Sequence, residues 1–159
     1  MIVIALLDNT VLSNFAVVER SDLVQAALHE KCATLRQVLD EHQTGVQLGR
    51  LPSVDWSWLP ILTLEDDELQ LYKQLRTRLN AGEAACLSKA ARGGYILFTD
   101  DRDARAVAAQ MQIPVSGTLG LFMLLLDHSL LSLPEADNLL AQMVSAGYRS
   151  PVQSLEELL

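Results

Sequence analysis

A chain of 159 residues has the length of one domain; half of its residues are hydrophobic and 20% are charged, enough for a core and not a disordered composition. The net charge of −8 opposes passive attraction to nucleic acid, but Lys73, Arg76, Arg78, Lys89, Arg92, Arg102 and Arg105 cluster around one acidic stretch and leave room for a local basic rim. Cys32 and Cys86 lack the spacing of a zinc site or disulfide framework and are expected as buried free thiols in a reducing cytoplasm. No signal peptide is expected, because Met1 to Leu7 is apolar without a basic start and meets Asp8 at once. The longest apolar run, Leu119 to Leu126, is too short to span a bilayer.

Met1 to Leu7 reads as a buried strand ending at Asp8, and Asn9-Thr10 opens a helix through Val11, Leu12, Phe15 and Val18. Ser21 caps a second helix, Leu23 to Glu30, and Thr34 a third, with Leu35, Val38 and Leu39 at helical spacing. Residues 45–57 are irregular, and Trp56 and Trp58 beside Pro52 and Pro60 suit packing onto the core better than stacking on bases. Pro60 to Leu64 reads as a short strand. A helix then begins at a capping signal, Thr63-Leu64-Glu65-Asp66, and runs to about Asn80. Glu83 to Arg92 is a small-residue helix closed by Gly93. Tyr95 to Phe98, apolar on both faces, suits a central parallel strand, and Ala104 to Met111 a helix. Ile113 to Val115 is an edge-like strand and Leu119 to His128 an apolar helix. Ser132-Leu133-Pro134-Glu135 is a capping box that starts the last helix, ended by Gly147. Strands alternating with helices indicate an α/β fold with a largely parallel sheet.

Three carboxylates, Asp100, Asp101 and Asp103, follow the strand Tyr95–Phe98. Acids at the C-terminal end of a parallel strand lie where open α/β sheets bind ligands. Such packed charges suit a divalent cation, and equally an Asp-rich loop that caps the next helix. Asp8 ends the first strand in the same way, and Glu83 starts a helix just upstream. Hard oxygen ligands of this kind favour Mg2+ or Mn2+ and metal-assisted hydrolysis. His29, His42 and His128 are isolated and read as surface or capping residues, so no activated Ser or Cys is indicated. No phosphate-binding glycine loop occurs.

Four segments, in order, resemble the PIN-domain family: Leu7-Asp8-Asn9-Thr10-Val11-Leu12-Ser13-Asn14-Phe15, Gly82-Glu83-Ala84-Ala85, Thr99-Asp100-Asp101-Arg102-Asp103-Ala104-Arg105 and Gly117-Thr118-Leu119-Gly120. The resemblance spans nearly the whole chain. It implies one PIN-like domain over residues 1–159, a three-layer α/β/α sandwich around a mostly parallel sheet. It also implies a Mg2+- or Mn2+-dependent endoribonuclease, such as the VapC-type toxin of a toxin–antitoxin pair. Carried over residue by residue, Asp8, Glu41, Glu83 and Asp101 would be catalytic, with Asp8, Glu83, Asp101 and Asp103 as metal ligands. Glu41 comes from Val38-Leu39-Asp40-Glu41, where the family's Val-x-x-Glu pattern fits; Asp40 competes, pointing about 100° away on a helix. Thr10, Asn14, Asp100, Arg102 and Arg105 are candidates for orienting ligands or binding substrate, or for caps and local salt bridges. The implied partners are RNA, a cognate antitoxin protein and a second copy of the chain. The homodimer would use Leu119 to Leu126 with Leu139, Leu140 and Met143, unless these residues simply fill the core. The rival reading is a catalytically silent PIN-like module that binds protein or RNA. A haloacid-dehalogenase-like phosphatase would need an Asp-x-Asp that Asp8-Asn9-Thr10 lacks.

Overall fold

The computed structural model describes residues 2–159. β1 (Ile4–Leu7) lies between β2 (Cys32–Leu35) and β4 (Tyr95–Phe98), β3 (Ile61–Leu62) extends β2, and β5 (Val115–Ser116) extends β4. All pairs are parallel, in the order β3-β2-β1-β4-β5. α1 (Asn9–Val17) and α2 (Ser21–Leu28) join β1 to β2, and α3 (Arg36–Gln47) joins β2 to β3. α4 (Asp66–Leu75) and α5 (Ala81–Ala90) return the chain to β4, α6 (Arg102–Gln110) leads to β5, and α7 (Thr118–Asp127), α8 (Leu133–Ser145) and a short 3-10 turn (Leu155–Leu158) follow.

The chain builds outward from β1 in one direction and then resumes on its other side at β4. The β1/β4 junction is therefore the topological switch point, where diverging connections open a crevice at the strand C-termini. Register fixes what faces it: Leu7 pairs with Phe98, so Asp8 and Thr99 emerge side by side. The layers are helical on both faces. α5 packs on β1, β2 and β4 and carries α4 and α6, while α1, α2, α7 and α8 pack among themselves on the opposite side. Leu6, Leu7 and Leu97 are wholly buried between the layers, as strands covered on both faces require. Phe15 of α1 meets Phe122 of α7 with ring centroids 5.5 Å apart.

Several local expectations shift. Thr34 does not cap a helix; it lies in β2, whose four residues are all buried, and its hydroxyl donates to Leu7 O at 2.7 Å. A Cys-Ala-Thr-Leu strand has too few residues to show a period. The helix expected to reach Asn80 stops at Leu75, because Asn80 instead caps α5: Glu83 N–H donates to Asn80 Oδ1 at 2.9 Å. α5 consequently starts at Ala81 and includes Gly82. The strand expected to begin at Met1 is β1 from Ile4, Met1 lying outside the described residues. The Ser132 box forms as expected, with Glu135 N–H donating to Ser132 Oγ at 3.2 Å and Ser132 N–H to Glu135 Oε1 at 3.1 Å. Of the apolar residues expected at a dimer interface, Leu121, Phe122, Leu125, Leu139, Leu140 and Met143 are buried in the chain's own core, while Leu119, Met123, Leu124 and Leu126 are only partly buried. Both cysteines are free and buried. Among the described residues, no helix is long and apolar enough to cross a membrane.

Candidate metal centre

The switch-point crevice is a cleft of about 540 Å³, whose lining includes Asp8, Glu41, Glu83 and Asp101 from four separate places in the chain. Asp8 ends β1 and is almost wholly buried. Two threonines splint it to β4. Thr99 Oγ1 donates to Asp8 Oδ2 at 2.6 Å and accepts Asp101 N–H at 3.2 Å. Thr10 Oγ1 accepts Asp100 N–H at 2.9 Å and turns its hydrogen toward Asp8 Oδ2 at 3.3 Å.

Asp101 is the N-cap of α6, its Oδ2 accepting Ala104 N–H at 2.8 Å. Glu83 sits in the first turn of α5, closing a reciprocal cap with Asn80, whose Nδ2 donates to Glu83 Oε1 at 3.0 Å. Both carboxylates thus lie near positive helix ends that favour their charge. Glu41 projects from α3 into the cleft, and Asp40 beside it is exposed. Gly82 permits this approach: a Cβ there would stand 2.9 Å from Glu41 Oε2 and 3.2 Å from Val38 Cγ2.

His42 is buried rather than superficial, correcting the expectation from its isolation in sequence. Trp56 Nε1 can only donate, so His42 Nε2, 3.1 Å away, must accept. The imidazole proton then sits on Nδ1 and goes to Asn9 Oδ1 at 2.9 Å. That leaves the Asn9 amide nitrogen for Glu41, whose carboxyl it lowers against the larger effect of burial. His29 and His128 are exposed helix C-caps, as expected. Trp56 packs into the core and its ring centroid lies 5.9 Å from that of Trp58.

Asp100 also lines the cleft, and its carboxylate is tied to α1 and α7. Thr118 Oγ1 donates to its Oδ2 at 2.6 Å, Asn14 Nδ2 to the same oxygen at 3.2 Å, and Thr118 N–H to Oδ1 at 3.1 Å. Three of its four lone-pair sites are taken by these donors, so it anchors the start of α7. Asn14 also donates to Thr118 Oγ1 at 3.0 Å. Gly117 makes room, since a Cβ there would collide with Asp100 Oδ1 at 2.3 Å. Arg105 is held by its Nε–H donating to Thr99 O at 2.8 Å, while Arg102 is exposed at the cleft rim. Asp103 is exposed in the first turn of α6 and does not line the cleft.

The electrostatics are one-sided. Burial, then the charges of Asp8, Asp101 and Glu41, push the Glu83 carboxyl up to about 8. Burial and then Asp8 raise Glu41. Burial raises Asp8 against the opposing hydrogen bonds, with Asp101 adding to the rise. Glu41 Oε2 is buried with no hydrogen-bond donor. A set of hard oxygen atoms, mutually repelling and one of them orphaned, fits a divalent cation.

A tighter acidic group lies elsewhere. Glu65, Asp67 and Glu68 bring carboxylate oxygens within 4.8 Å of one another at the start of α4. Two cations already pair with these three carboxylates. Lys89 Nζ lies 2.6 Å from Glu68 Oε1, and Arg92 pairs with Glu65 at 3.0 Å, with Glu68 at 2.8 Å and with Asp67. Burial raises Glu68, but the Glu65 backbone N–H and both cations outweigh it and hold the carboxyl below its ordinary value. This network fastens α4 to α5.

Missing from the sequence reading were Asn80, the Asn9–His42–Trp56 relay, and Arg50, Tyr148 and Arg149 along the cleft. Only Asn80, three residues before Glu83, carried a local signal, the capping-box spacing.

Comparison with known proteins agrees with this architecture. The crystal structure of PAE2754 from Pyrobaculum aerophilum is similar, with a TM-score of 0.54 and 22% identity over 78% of this chain and 98% of that one, a likeness of fold. No curated protein matches. The PIN-domain family DUF3368 matches residues 4–159. With five parallel strands in this order and that match across nearly its whole length, the chain belongs to the PIN-domain family.

Proposed function

We propose that this protein is a Mg2+- or Mn2+-dependent endoribonuclease that hydrolyses phosphodiester bonds of single-stranded RNA. The observation that carries the reading is the orphaned Glu41 Oε2, buried in a cleft where burial and then the charges of Asp8 and Asp101 raise the Glu41 and Glu83 carboxyls without a cationic partner. Those four acids would hold the cation. Bound there, a divalent ion would supply Lewis-acid stabilisation of charge on the phosphate and a lowered pKa for attacking water.

The chain's own residues do the remaining work. Thr99 and Thr10 fix the Asp8 carboxylate against rotation. The Asn80 cap fixes Glu83, and Asn9, set by His42, faces Glu41. Arg102 at the rim offers a guanidinium to a flanking phosphate oxygen. The reaction forms a bond from water oxygen to phosphorus and breaks the bond to the leaving ribose oxygen, which takes a proton.

As the toxin of a toxin–antitoxin pair, the protein would be silenced by a cognate antitoxin; the motif order motivates this role, and co-expression with an adjacent small gene product relieving growth arrest would support it. Self-association would have to use residues outside the core, such as Leu130 and Val144, which remain exposed.

The test is cleavage of an end-labelled single-stranded RNA. Expected are internal cuts in Mn2+ or Mg2+, none in EDTA, and none with Asp101→Asn. Cutting that survives both EDTA and Asp101→Asn would overturn the reading.

A further inference from the structure

The cleft does not stop at the acids. A second cavity of about 510 Å³ adjoins it, and the two share Asp100, Tyr148 and Arg149 as a common wall. The groove therefore runs from Arg50 across the four acids and past Tyr148. α8 ends just before this point; Gly147 adopts φ +118°, and Tyr148 N–H donates back to Met143 O at 3.0 Å, so the turn fixes where Tyr148 stands. The ring is half-buried and packs against the core, leaving its remaining surface on the groove. Arg149 beside it is exposed, and among the described residues Arg50, Arg102 and Arg149 make no ion pair. Unpaired guanidinium groups along a groove, in a chain of net charge −8, mark where an anionic strand can be tolerated.

We propose that Tyr148 and Arg149 form a nucleotide subsite next to the scissile phosphate, Tyr148 stacking on the flanking base and Arg149 holding the flanking phosphate. This rests on the reading of the cleft as a site for single-stranded RNA. An immobilised aromatic ring beside free cations is the combination that binds single strands without regard to sequence. The hydroxyl stays protonated, since burial and then Asp100 raise it, so the stacking face carries no charge.

The experiment uses full-length protein, a fluorescent single-stranded RNA, and the same RNA lacking one base beside the cut. Cleavage is followed in Mn2+, and binding by anisotropy across a salt series in EDTA. Tyr148→Ala is expected to raise KM about tenfold with kcat little changed, and Tyr148→Phe, which keeps the ring, to stay within about twofold. Wild type should bind the abasic RNA as weakly as Tyr148→Ala binds the intact one, with no further loss when the two are combined. That arm reads stacking even if Tyr148→Ala is destabilised. Arg149→Ala should lower the slope of log affinity against log salt by about 0.7. Unchanged affinity for the abasic RNA, or an unchanged salt slope for Arg149→Ala, would overturn the subsite. Failure of wild type to cut in Mn2+ would overturn the nuclease reading instead, and the binding arms would still decide the subsite.

Discussion

Thr99 Oγ1 donates a 2.6 Å hydrogen bond to Asp8 Oδ2 across the junction of β1 and β4, joining the two strand ends at the point where the sheet's connections diverge. The same hydroxyl accepts Asp101 N–H, so one buried side chain orients two of the four acids. We predict that Thr99→Val costs about 1.5–3 kcal/mol of stability, the range for losing a hydrogen bond to a charged group. It should also weaken Mn2+ binding. Urea unfolding and calorimetric titration measure the two effects. A stable variant with unaltered metal affinity would show that the threonine does not orient Asp8.

Asp101 serves both as helix cap and as candidate ligand, and two substitutions separate the roles. Asn caps a helix about as well as Asp, whereas Ala forfeits about 1 kcal/mol. Asp101→Asn also removes one charge from a repelling group. In EDTA we therefore expect Asp101→Asn to melt at or above wild type and Asp101→Ala below it, with both inactive. An Asn variant as unstable as the Ala variant would mean that the charge stabilises the fold, contrary to this account.

Gly82→Ala tests whether close helix approach serves the site rather than the fold. The added Cβ meets the flexible end of Glu41, which can swing away, and Val38 Cγ2 at 3.2 Å, which need give only slightly. The helix gains up to about 1 kcal/mol of propensity. We expect a melting temperature within a few degrees of wild type, with Mn2+ affinity and cleavage reduced at least about tenfold. Full retention of metal binding would remove Glu41 from the ligand set.

The raised carboxyls carry a stability signature. Glu83, pushed up to about 8, holds a proton in the folded state that it loses when unfolded above its ordinary value of 4.5. Its contribution is complete below 4.5 and is lost as pH rises toward 8; Glu41 and Asp8 shift in the same direction. His42 is lowered by burial and weakens the fold only as pH falls below 6.5. Between pH 6.5 and 8 in EDTA, stability should therefore fall, by at most about 1.4 kcal/mol per pH unit for each proton released. Glu83→Gln should flatten that fall, and saturating Mn2+ should reverse it, because the cation binds the ionised acids of the folded state. Melts at three pH values suffice. A wild-type stability that rises with pH in EDTA would contradict the arrangement.

What the sequence made legible was contiguous. Asp8 and the Asp100–Asp101 pair each follow an apolar run, so strand, acid and helix are visible in one stretch, and the parallel sheet follows from their alternation. β2 was hidden because four buried residues show no period and its threonine looks like a cap until Leu7 O is found beside it. Asn80, Asn9 and His42 carry polar partners from distant segments, and no local pattern reports such pairs. The choice between Asp40 and Glu41 turns on which face of α3 meets Gly82, a matter of helix packing. Tyr148 and Arg149 follow the last long helix, and only the folded chain brings them beside Asp100.

The most direct test is a diffraction experiment on Mn2+-soaked crystals at the manganese absorption edge. The account predicts an anomalous peak within bonding distance of carboxylate oxygens from Asp8, Glu41, Glu83 and Asp101. A peak at Glu65, Asp67 and Glu68 with none in the cleft at millimolar Mn2+ would contradict it.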